Sequence, residues 1–79
     1  MKIHELKILS RYYEDVAMSN KTFELRKDDR DYEVGDYLNL REIDNNEYTG
    51  REINVEIVYI LRNCSEYGLK EGYVILGIQ

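Results

Sequence analysis

Two stretches of alternating apolar and polar residues, joined by a segment rich in turn formers, occupy the middle of this sequence. The first stretch, residues 37–43, places Leu38 and Leu40 on one side of an extended chain. The second stretch, residues 51–61, places five apolar side chains on one face: Ile53, Val55, Ile57, Tyr59 and Leu61. A period of two is typical of half-buried strands, and residues 44–50 favour a turn between antiparallel strands. This hairpin predicts a fold built mainly from β-strands.

One short helix is predicted early in the chain, over residues 10–19, with Ser10 as its N-cap and Asn20 ending it in a left-handed conformation. Residues 72–78 are almost continuously apolar, as expected of a strand covered on both faces. The strands predicted outside the hairpin are residues 2–9, 21–27 and 72–78. Five or six strands on a short chain favour a small closed or partly closed β-barrel, because closure removes exposed sheet edges. The helix would cap one end of that barrel.

The chain has 79 residues, so we predict a single domain over residues 1–79 with a thin core. No apolar run approaches the length needed to span a membrane, and charged residues stand where a signal peptide would be apolar. The lone cysteine, Cys64, excludes an internal disulfide and fits a reducing cytosol. We therefore expect a cytoplasmic protein with no membrane partner and no metal or other cofactor.

The net charge of −5 argues against an extended grip on duplex DNA, which needs many phosphate contacts. It is compatible with a local basic cleft that receives one nucleotide or a short single strand. The oligomeric state is not predicted by these properties.

The most distinctive polar pattern is Lys21-x-x-Glu24-x-Arg26, which follows the predicted helix. In a strand, Phe23 and Leu25 point to one face while Glu24 and Arg26 point to the other. We expect Phe23 and Leu25 to be buried, and the acid and the guanidinium to lie within reach of each other on the opposite face. Lys21 should approach them from the turn between helix and strand. The alternative is a solvated ladder of ion pairs, which stabilises little.

Two chemical roles are open to Lys21. A desolvated lysine beside another cation can become a nucleophile or a base, whereas a lysine beside a carboxylate stays charged and binds phosphate. Because Glu24 is close in sequence, the pattern favours binding. Arg26 presents a planar fork suited to a phosphate or a base edge, although it can also simply pair with Glu24.

This pattern resembles the signature of the ASCH domains, Gly-x-Lys-x-x-Glu-x-Arg, which belong to the PUA-like superfamily of small β-barrels associated with RNA. Lys21, Glu24 and Arg26 match the signature, and Ser19 stands where glycine is usual. The rest of the chain resembles a compact ASCH-like family of bacteria and their phages, whose function is not settled. The segments that carry this likeness are His4–Leu9, Lys21–Arg30, Val34–Asp36, Tyr48–Glu52 and Tyr67–Val74. The resemblance implies an ASCH-type barrel with one helix after the first strand.

For function, the resemblance implies a cleft headed by Lys21, Glu24 and Arg26 that binds RNA or a nucleotide-like small molecule. One alternative is a small amidohydrolase that removes an acyl group from N4-acetylated cytidine through Lys21. In that branch of the family a threonine three positions on and a later glutamate assist the lysine. Here the position three on is Glu24, and the later glutamates, Glu66 and Glu71, lie in a short loop, so an enzyme is not the leading expectation. Another alternative is a protein-interaction module with a vestigial cleft.

Three residues outside the signature are further candidates for ligand binding. His4 lies on the first strand, which borders the cleft in the ASCH fold, although a lone histidine is often just a satisfied surface or core residue. Tyr67 and Tyr73 lie near the second loop and offer aromatic faces on which bases can stack. Most of the other tyrosines, including Tyr13 and Tyr59, fit core or edge positions better.

Overall fold

The computed structural model describes residues 1–79, the whole chain. It is mainly β with one α-helix, as the sequence predicts. The elements in chain order are β1 (Ile3–Leu9), α1 (Ser10–Ala17), β2 (Phe23–Lys27), β3 (Tyr37–Asp44), β4 (Glu47–Leu61), a short 3₁₀ helix (Cys64–Tyr67) and β5 (Tyr73–Ile78). None of the helices is long and apolar enough to cross a membrane.

The five strands form one mixed sheet in the order β1-β3-β4-β5-β2. β1 runs parallel to β3, and the other pairs are antiparallel. The long strand β4 belongs to two parts of the sheet, because residues 47–56 pair with β3 and residues 57–61 pair with β5. We call β1, β3 and residues 47–56 the first half-sheet, and β2, β5 and residues 57–61 the second half-sheet. No backbone ladder joins the end strands β1 and β2, so the sheet is not closed into the expected barrel.

The core lies on one face of the sheet and follows the alternation in the sequence. Leu38 and Leu40 on β3 are completely buried, as predicted. Helix α1 packs Tyr13 and Val16 into the same core. The buried cluster consists of Leu6, Ile8, Tyr13, Val16, Tyr32, Leu38, Leu40, Val55, Ile57, Val74, Leu76 and Ile78.

The β3–β4 hairpin turns more tightly than the turn-rich segment suggested. Asn45 and Asn46 both have positive φ, of 50° and 64°, which suits a two-residue hairpin turn. β4 therefore begins at Glu47, inside the segment that was predicted to be a turn. Asparagine tolerates the left-handed region better than most residues, which explains its presence at both positions.

The inward face of β4 changes partway along the strand. Val55 and Ile57 are buried as predicted, but the register shifts between Ile57 and Tyr59. Beyond this irregularity Ile60 packs against the core, and Tyr59 and Leu61 point outward. A β-bulge adds one residue to a strand, so every later side chain changes face.

Helix α1 follows β1 directly, which alters both of its predicted ends. Ser10 is the first helical residue and Leu9 occupies the N-cap position, without a side-chain cap. The helix ends at Ala17, and Ser19, not Asn20, takes the left-handed conformation, with φ of 61°. The Asn20 backbone N–H instead donates to the carbonyl of Asp15, which closes the end of the helix.

Arginine side chains from the β2 region cover the free edge of β1. Arg26 Nη2 donates to the carbonyl oxygen of Lys7 at 2.7 Å, and Arg30 Nη1 donates to that of Glu5 at 3.1 Å. These carbonyls would otherwise lack a strand partner, since β1 is an end strand. Guanidinium groups thus bridge the two end strands where no backbone ladder does.

Candidate functional site

A cavity of about 470 Å³ opens between the end of β1, the first turn of α1 and strand β2. Its volume falls within the range of small-molecule sites. The lining combines four polar residues with five apolar ones: Lys7, Lys21, Glu24 and Arg26 with Ile8, Leu9, Tyr12, Phe23 and Leu25. The three residues of the signature pattern are therefore brought together in one concave site.

Glu24 anchors the polar side of the cavity. The residue is only 4% exposed, and it lies on the core-facing side of the second half-sheet, opposite Leu76 in the strand register. One carboxylate oxygen accepts from Lys21 Nζ at 2.6 Å, and the other accepts from Arg26 Nε at 3.0 Å. Arg26 Nη2 also lies 2.9 Å from that second oxygen, which makes the contact a double one. Burial of a carboxylate is costly, and two cations with direct hydrogen bonds offset that cost.

The prediction that Phe23 and Leu25 are buried is wrong. They do share the face opposite Glu24, as alternation requires, but their exposed fractions are 49% and 47%. The inner face of β2 borders the polar cavity, where Glu24 finds its two cationic partners. The apolar pair is consequently turned to the outer face of the sheet.

Lys21 is held as a fixed cation at the mouth of the cavity. Besides Glu24, its ammonium donates to the carbonyl oxygen of Phe23 at 2.8 Å. It also lies 5.6 Å from the ring centre of Tyr12 and 4.9 Å from that of Phe23, within the range of cation–π attraction. An ammonium has three hydrogens to donate, so one is left for a ligand. This arrangement suits Lys21 to hold an anion better than to attack as a free amine.

Arg26 is fixed as firmly as Lys21. Its Nε and Nη2 atoms are occupied by Glu24 and by the carbonyl of Lys7, and no hydrogen bond of the structure uses its Nη1 atom. The trio carries two positive charges and one negative charge, which leaves a net charge of +1 at the site. The chain as a whole has a net charge of −5, so the cavity is a local exception to its acidity.

His4 lies outside this cavity, in a separate buried pair. Its Nε2 atom is 2.9 Å from Oδ2 of Asp36, and its ring packs against Tyr32 with 4.8 Å between the ring centres. Asp36 also accepts from the backbone N–H groups of Lys2 and Glu33. The hydrogen bond with His4, together with these backbone donors, lowers the pKa of Asp36 from 3.8 to about 2. These contacts tie the start of β1 to the turn before β3.

Neither predicted stacking tyrosine lies at the cavity. Tyr67 belongs to the 3₁₀ helix and is highly exposed, while Tyr73 lies at the start of β5, opposite Lys27. Tyr73 lines a different, smaller cavity of about 180 Å³ together with Cys64, whose side chain is buried. The structure does not bring these two tyrosines to the trio.

The aromatic residues that do line the cavity are Tyr12 and Phe23. Sequence reasoning missed Tyr12, because nothing in the spacing of the signature pattern includes it. The one feature that could have pointed to Tyr12 is its position in the first turn of a helix that follows β1 directly. That position puts it at the end of β1, across from β2.

An ion cluster built on one buried carboxylate, that of Glu42, connects α1 to the sheet. The carboxylate of Glu42, buried on β3, accepts from Thr49 at 2.6 Å and from two nitrogens of Arg51 at 2.8 and 2.7 Å. Arg51 also donates to Glu14 of α1 at 2.6 Å and stacks over Tyr13. The hydrogen bonds from Arg51, and then that from Thr49, lower the pKa of Glu42. Because α1 carries Tyr12, this cluster positions one wall of the cavity.

No group of three or more His, Cys, Asp or Glu side chains is arranged to hold a metal ion. The cavity itself offers hydrogen-bond donors, charges and aromatic faces.

Comparison with known proteins identifies the family. The model of a family described as a domain of unknown function, DUF3850, matches residues 3–78. A protein of Escherichia phage P2, described as "Uncharacterized 12.9 kDa protein in GpA 3'region", is 39% identical over 75 residues. The match covers 95% of this chain and 66% of the phage protein, so the chain spans just under two thirds of that relative's length. Since the family model covers nearly the whole sequence, the chain belongs to the DUF3850 family.

Proposed function

We propose that this protein is an ASCH-type module of the PUA-like superfamily whose cavity binds a nucleotide or a short single strand of RNA. The observation that carries the proposal is the position of the Lys21 ammonium. It lies 5.6 Å from the ring centre of Tyr12 and 4.9 Å from that of Phe23, and it is fixed there by the buried Glu24. The match of Lys21, Glu24 and Arg26 to the ASCH signature supports the same assignment.

The two kinds of group at the cavity fit the two parts of a nucleotide. The aromatic rings of Tyr12 and Phe23 offer faces for a base, and stacking of one base on an aromatic side chain contributes about 1–3 kcal/mol. The free donors of Lys21 and Arg26 suit a phosphate oxygen, with which charged donors form strong hydrogen bonds. A ligand with both a flat ring and an anionic group satisfies both sets.

The proposed ASCH relationship includes a partly closed barrel. The supporting observation is that Arg26 and Arg30 reach across to carbonyl oxygens of β1, which draws the two end strands together around the cavity. The cavity then lies at the unclosed seam of the barrel. A cytosolic setting belongs to this proposal as well, since Cys64 is an unpaired thiol.

The geometry gives less support to an amidohydrolase. The Lys21 ammonium is committed to Glu24 and to a backbone carbonyl, and the later glutamates Glu66 and Glu71 do not line the cavity. A nucleophilic lysine needs a free lone pair and a partner that accepts its proton. The carboxylate that is placed to accept such a proton, Glu24, is also the ion-pair partner of Arg26, and no second carboxylate lines the cavity.

A titration followed by NMR tests the proposal. The four common ribonucleoside monophosphates and short single-stranded RNAs are added at low salt, and shifts are expected at Tyr12, Lys21 and Arg26. Lys21→Gln should abolish these shifts because it removes the cation. Lys70→Gln is the matched control, since Lys70 is an exposed lysine beside Tyr73, away from the cavity.

Two outcomes would contradict the proposal. The absence of any shift at the cavity across the whole panel would remove the binding function. Conversion of N4-acetylcytidine to cytidine by the wild-type protein, lost in Lys21→Ala, would instead favour the amidohydrolase.

A further inference from the structure

The outer face of the second half-sheet carries a continuous set of apolar side chains. The strand registers place them in two rows across β2, β5 and β4: Phe23–Gly77–Tyr59 and Leu25–Ile75–Leu61. Four of the side chains are substantially exposed: Phe23 at 49%, Leu25 at 47%, Tyr59 at 65% and Leu61 at 37%. We call these two rows the apolar face. Contiguous exposed apolar patches of this kind mark interaction sites in many proteins.

The first half-sheet provides a comparison within the same molecule. Its outer face carries the rows Glu5–Asn39–Asn54 and Lys7–Arg41–Glu52. These polar side chains pair with one another, as in the 2.8 Å hydrogen bond from Asn39 to Asn54 and the 3.0 Å ion pair of Arg41 with Glu5. These two rows are therefore polar, whereas the two rows of the apolar face are not. The apolar sequence of β5 predicts a cover on both sides, and a single copy of the chain supplies only one.

We propose that the apolar face is the interface of a homodimer in which two copies pack their second half-sheets against each other about a two-fold axis. The exposed parts of the four side chains amount to about 400 Å². A standard interface buries about 800 Å² on each partner, and somewhat more than half of that area is apolar. The apolar face thus supplies nearly all the apolar area that one side of such an interface needs. A two-fold axis lets the same patch serve on both copies.

The distribution of charge allows two copies to meet at the apolar face. The chain has a net charge of −5, so two copies repel each other over most of their surfaces. The two rows of the apolar face contain no charged residue, and the next residue on the same face of β2 is a cation, Lys27. Contact through these rows therefore brings no acidic side chains of the two copies together.

Gly77 occupies the centre of the apolar face. It lies between Phe23 and Tyr59, and a Cβ atom at this position would be 3.2 Å from the Cβ of Tyr59, so a larger residue would crowd that side chain. With glycine there, the row presents its two aromatic rings with no side chain between them.

Sedimentation velocity over a wide range of protein concentration tests the proposal. Wild-type protein is expected to shift from the mass of one chain to that of two chains as the concentration rises. Tyr59→Glu and Leu61→Glu each place a charge on the apolar face and should raise the dimer dissociation constant by at least about tenfold. The apolar face shares Phe23 and Leu25 with the cavity, but Tyr59 and Leu61 do not line it, so these two variants test the interface without changing the ligand site. Ile3→Glu is the matched control, because Ile3 is an exposed apolar residue on the first half-sheet.

Each outcome decides the question once circular dichroism has confirmed that the variants fold. A dimer that is weakened by both face variants and kept by Ile3→Glu supports the proposal. A wild-type chain that is monomeric at every concentration overturns it and leaves the face to a different protein or to nucleic acid. A dimer that both face variants leave intact overturns it too, because the interface then lies elsewhere.

Discussion

The Nζ atom of Lys21 lies 2.6 Å from Oε1 of Glu24, and that carboxylate is almost fully buried beside the core. Arg26 contacts the other oxygen of the same carboxylate. A buried acid therefore fixes two cations that border the cavity. Because each cation is held both by Glu24 and by a backbone carbonyl, its remaining donors are directed by the fold and are not free to rotate.

Replacement of Glu24 by glutamine should destabilise the protein. Glu24→Gln keeps the shape of the side chain but leaves Lys21 and Arg26 without a counter-charge, and we expect a loss of about 2–4 kcal/mol in the free energy of unfolding. Urea unfolding at neutral pH measures it. Glu5→Gln is the control, because Glu5 pairs with Arg41 on the exposed face and its loss should be nearly neutral. Equal stability of both variants would mean that the Glu24 pairs contribute no more than surface pairs.

The orientation of β2 predicts different costs for two leucines on neighbouring strands. Leu76→Ala should cost about 2–5 kcal/mol, because Leu76 is completely buried and its truncation leaves a cavity. Leu25→Ala should cost less than about 1 kcal/mol, because nearly half of Leu25 is already exposed. Thermal or urea unfolding of both variants measures the difference. A large cost for Leu25→Ala at a concentration where the protein is monomeric would show that its side chain is buried after all.

The alternation of apolar and polar residues predicts where the strands lie, but it predicts less well which face of a strand is buried. The pattern over residues 37–43 correctly identifies Leu38 and Leu40 as core, because no irregularity interrupts β3 before them. In β4 the same reasoning is wrong beyond Ile57, since the bulge at residues 57–59 has no signature in the residue types. Local spacing determines which side chains share a face, but a single extra residue reverses which face is inside.

The same limit applies to the candidate site. The spacing of Lys21, Glu24 and Arg26 was sufficient to predict that they meet, because all three belong to one short segment. It could not show that Glu24 points inward, since that depends on compensation by its two cations and not on hydrophobicity. Nor could it identify Tyr12, which reaches the cavity only through the packing of α1. Long-range packing is not encoded in local periodicity.

Lowering the pH should reduce the free energy of unfolding, because Asp36 becomes protonated. Its pKa is lowered from 3.8 to about 2, mainly by the hydrogen bond with His4, so the folded state holds the ionised form more strongly than the unfolded state does. The resulting stabilisation is fully present above about pH 4 and is lost as the pH falls toward 2. Unfolding free energies measured across this interval should fall for the wild type and change less for Asp36→Asn. Asp31→Asn, at a highly exposed carboxylate, should follow the wild-type curve.

Replacement of Arg51 should weaken the attachment of α1 to the sheet. Arg51→Gln removes the bonds that join Glu42 of β3 to Glu14 of the helix, and it leaves the buried Glu42 with Thr49 as its remaining donor. We expect a lower melting temperature and chemical-shift changes that extend along α1 to Tyr12. Arg62→Gln is the control, because Arg62 pairs with Asp28 on the other side of the fold. If the shifts stop short of α1, the cluster does not position the wall of the cavity.

Tyr12 provides the sharpest test of the proposed ligand, because its role rests on the geometry of the cavity alone. Tyr12→Ala removes one aromatic face and should weaken nucleotide binding by about tenfold, the effect of losing one stacked base. Its stability should change little, since the ring is partly exposed and Tyr13 provides the buried contact of the helix. Dissociation constants from NMR or calorimetric titration measure the effect. Tyr67→Ala serves as the control, because Tyr67 is exposed and does not line the cavity. Equal affinities of Tyr12→Ala and the wild type would exclude stacking on Tyr12, and a loss confined to Tyr67→Ala would place the base near the 3₁₀ helix instead.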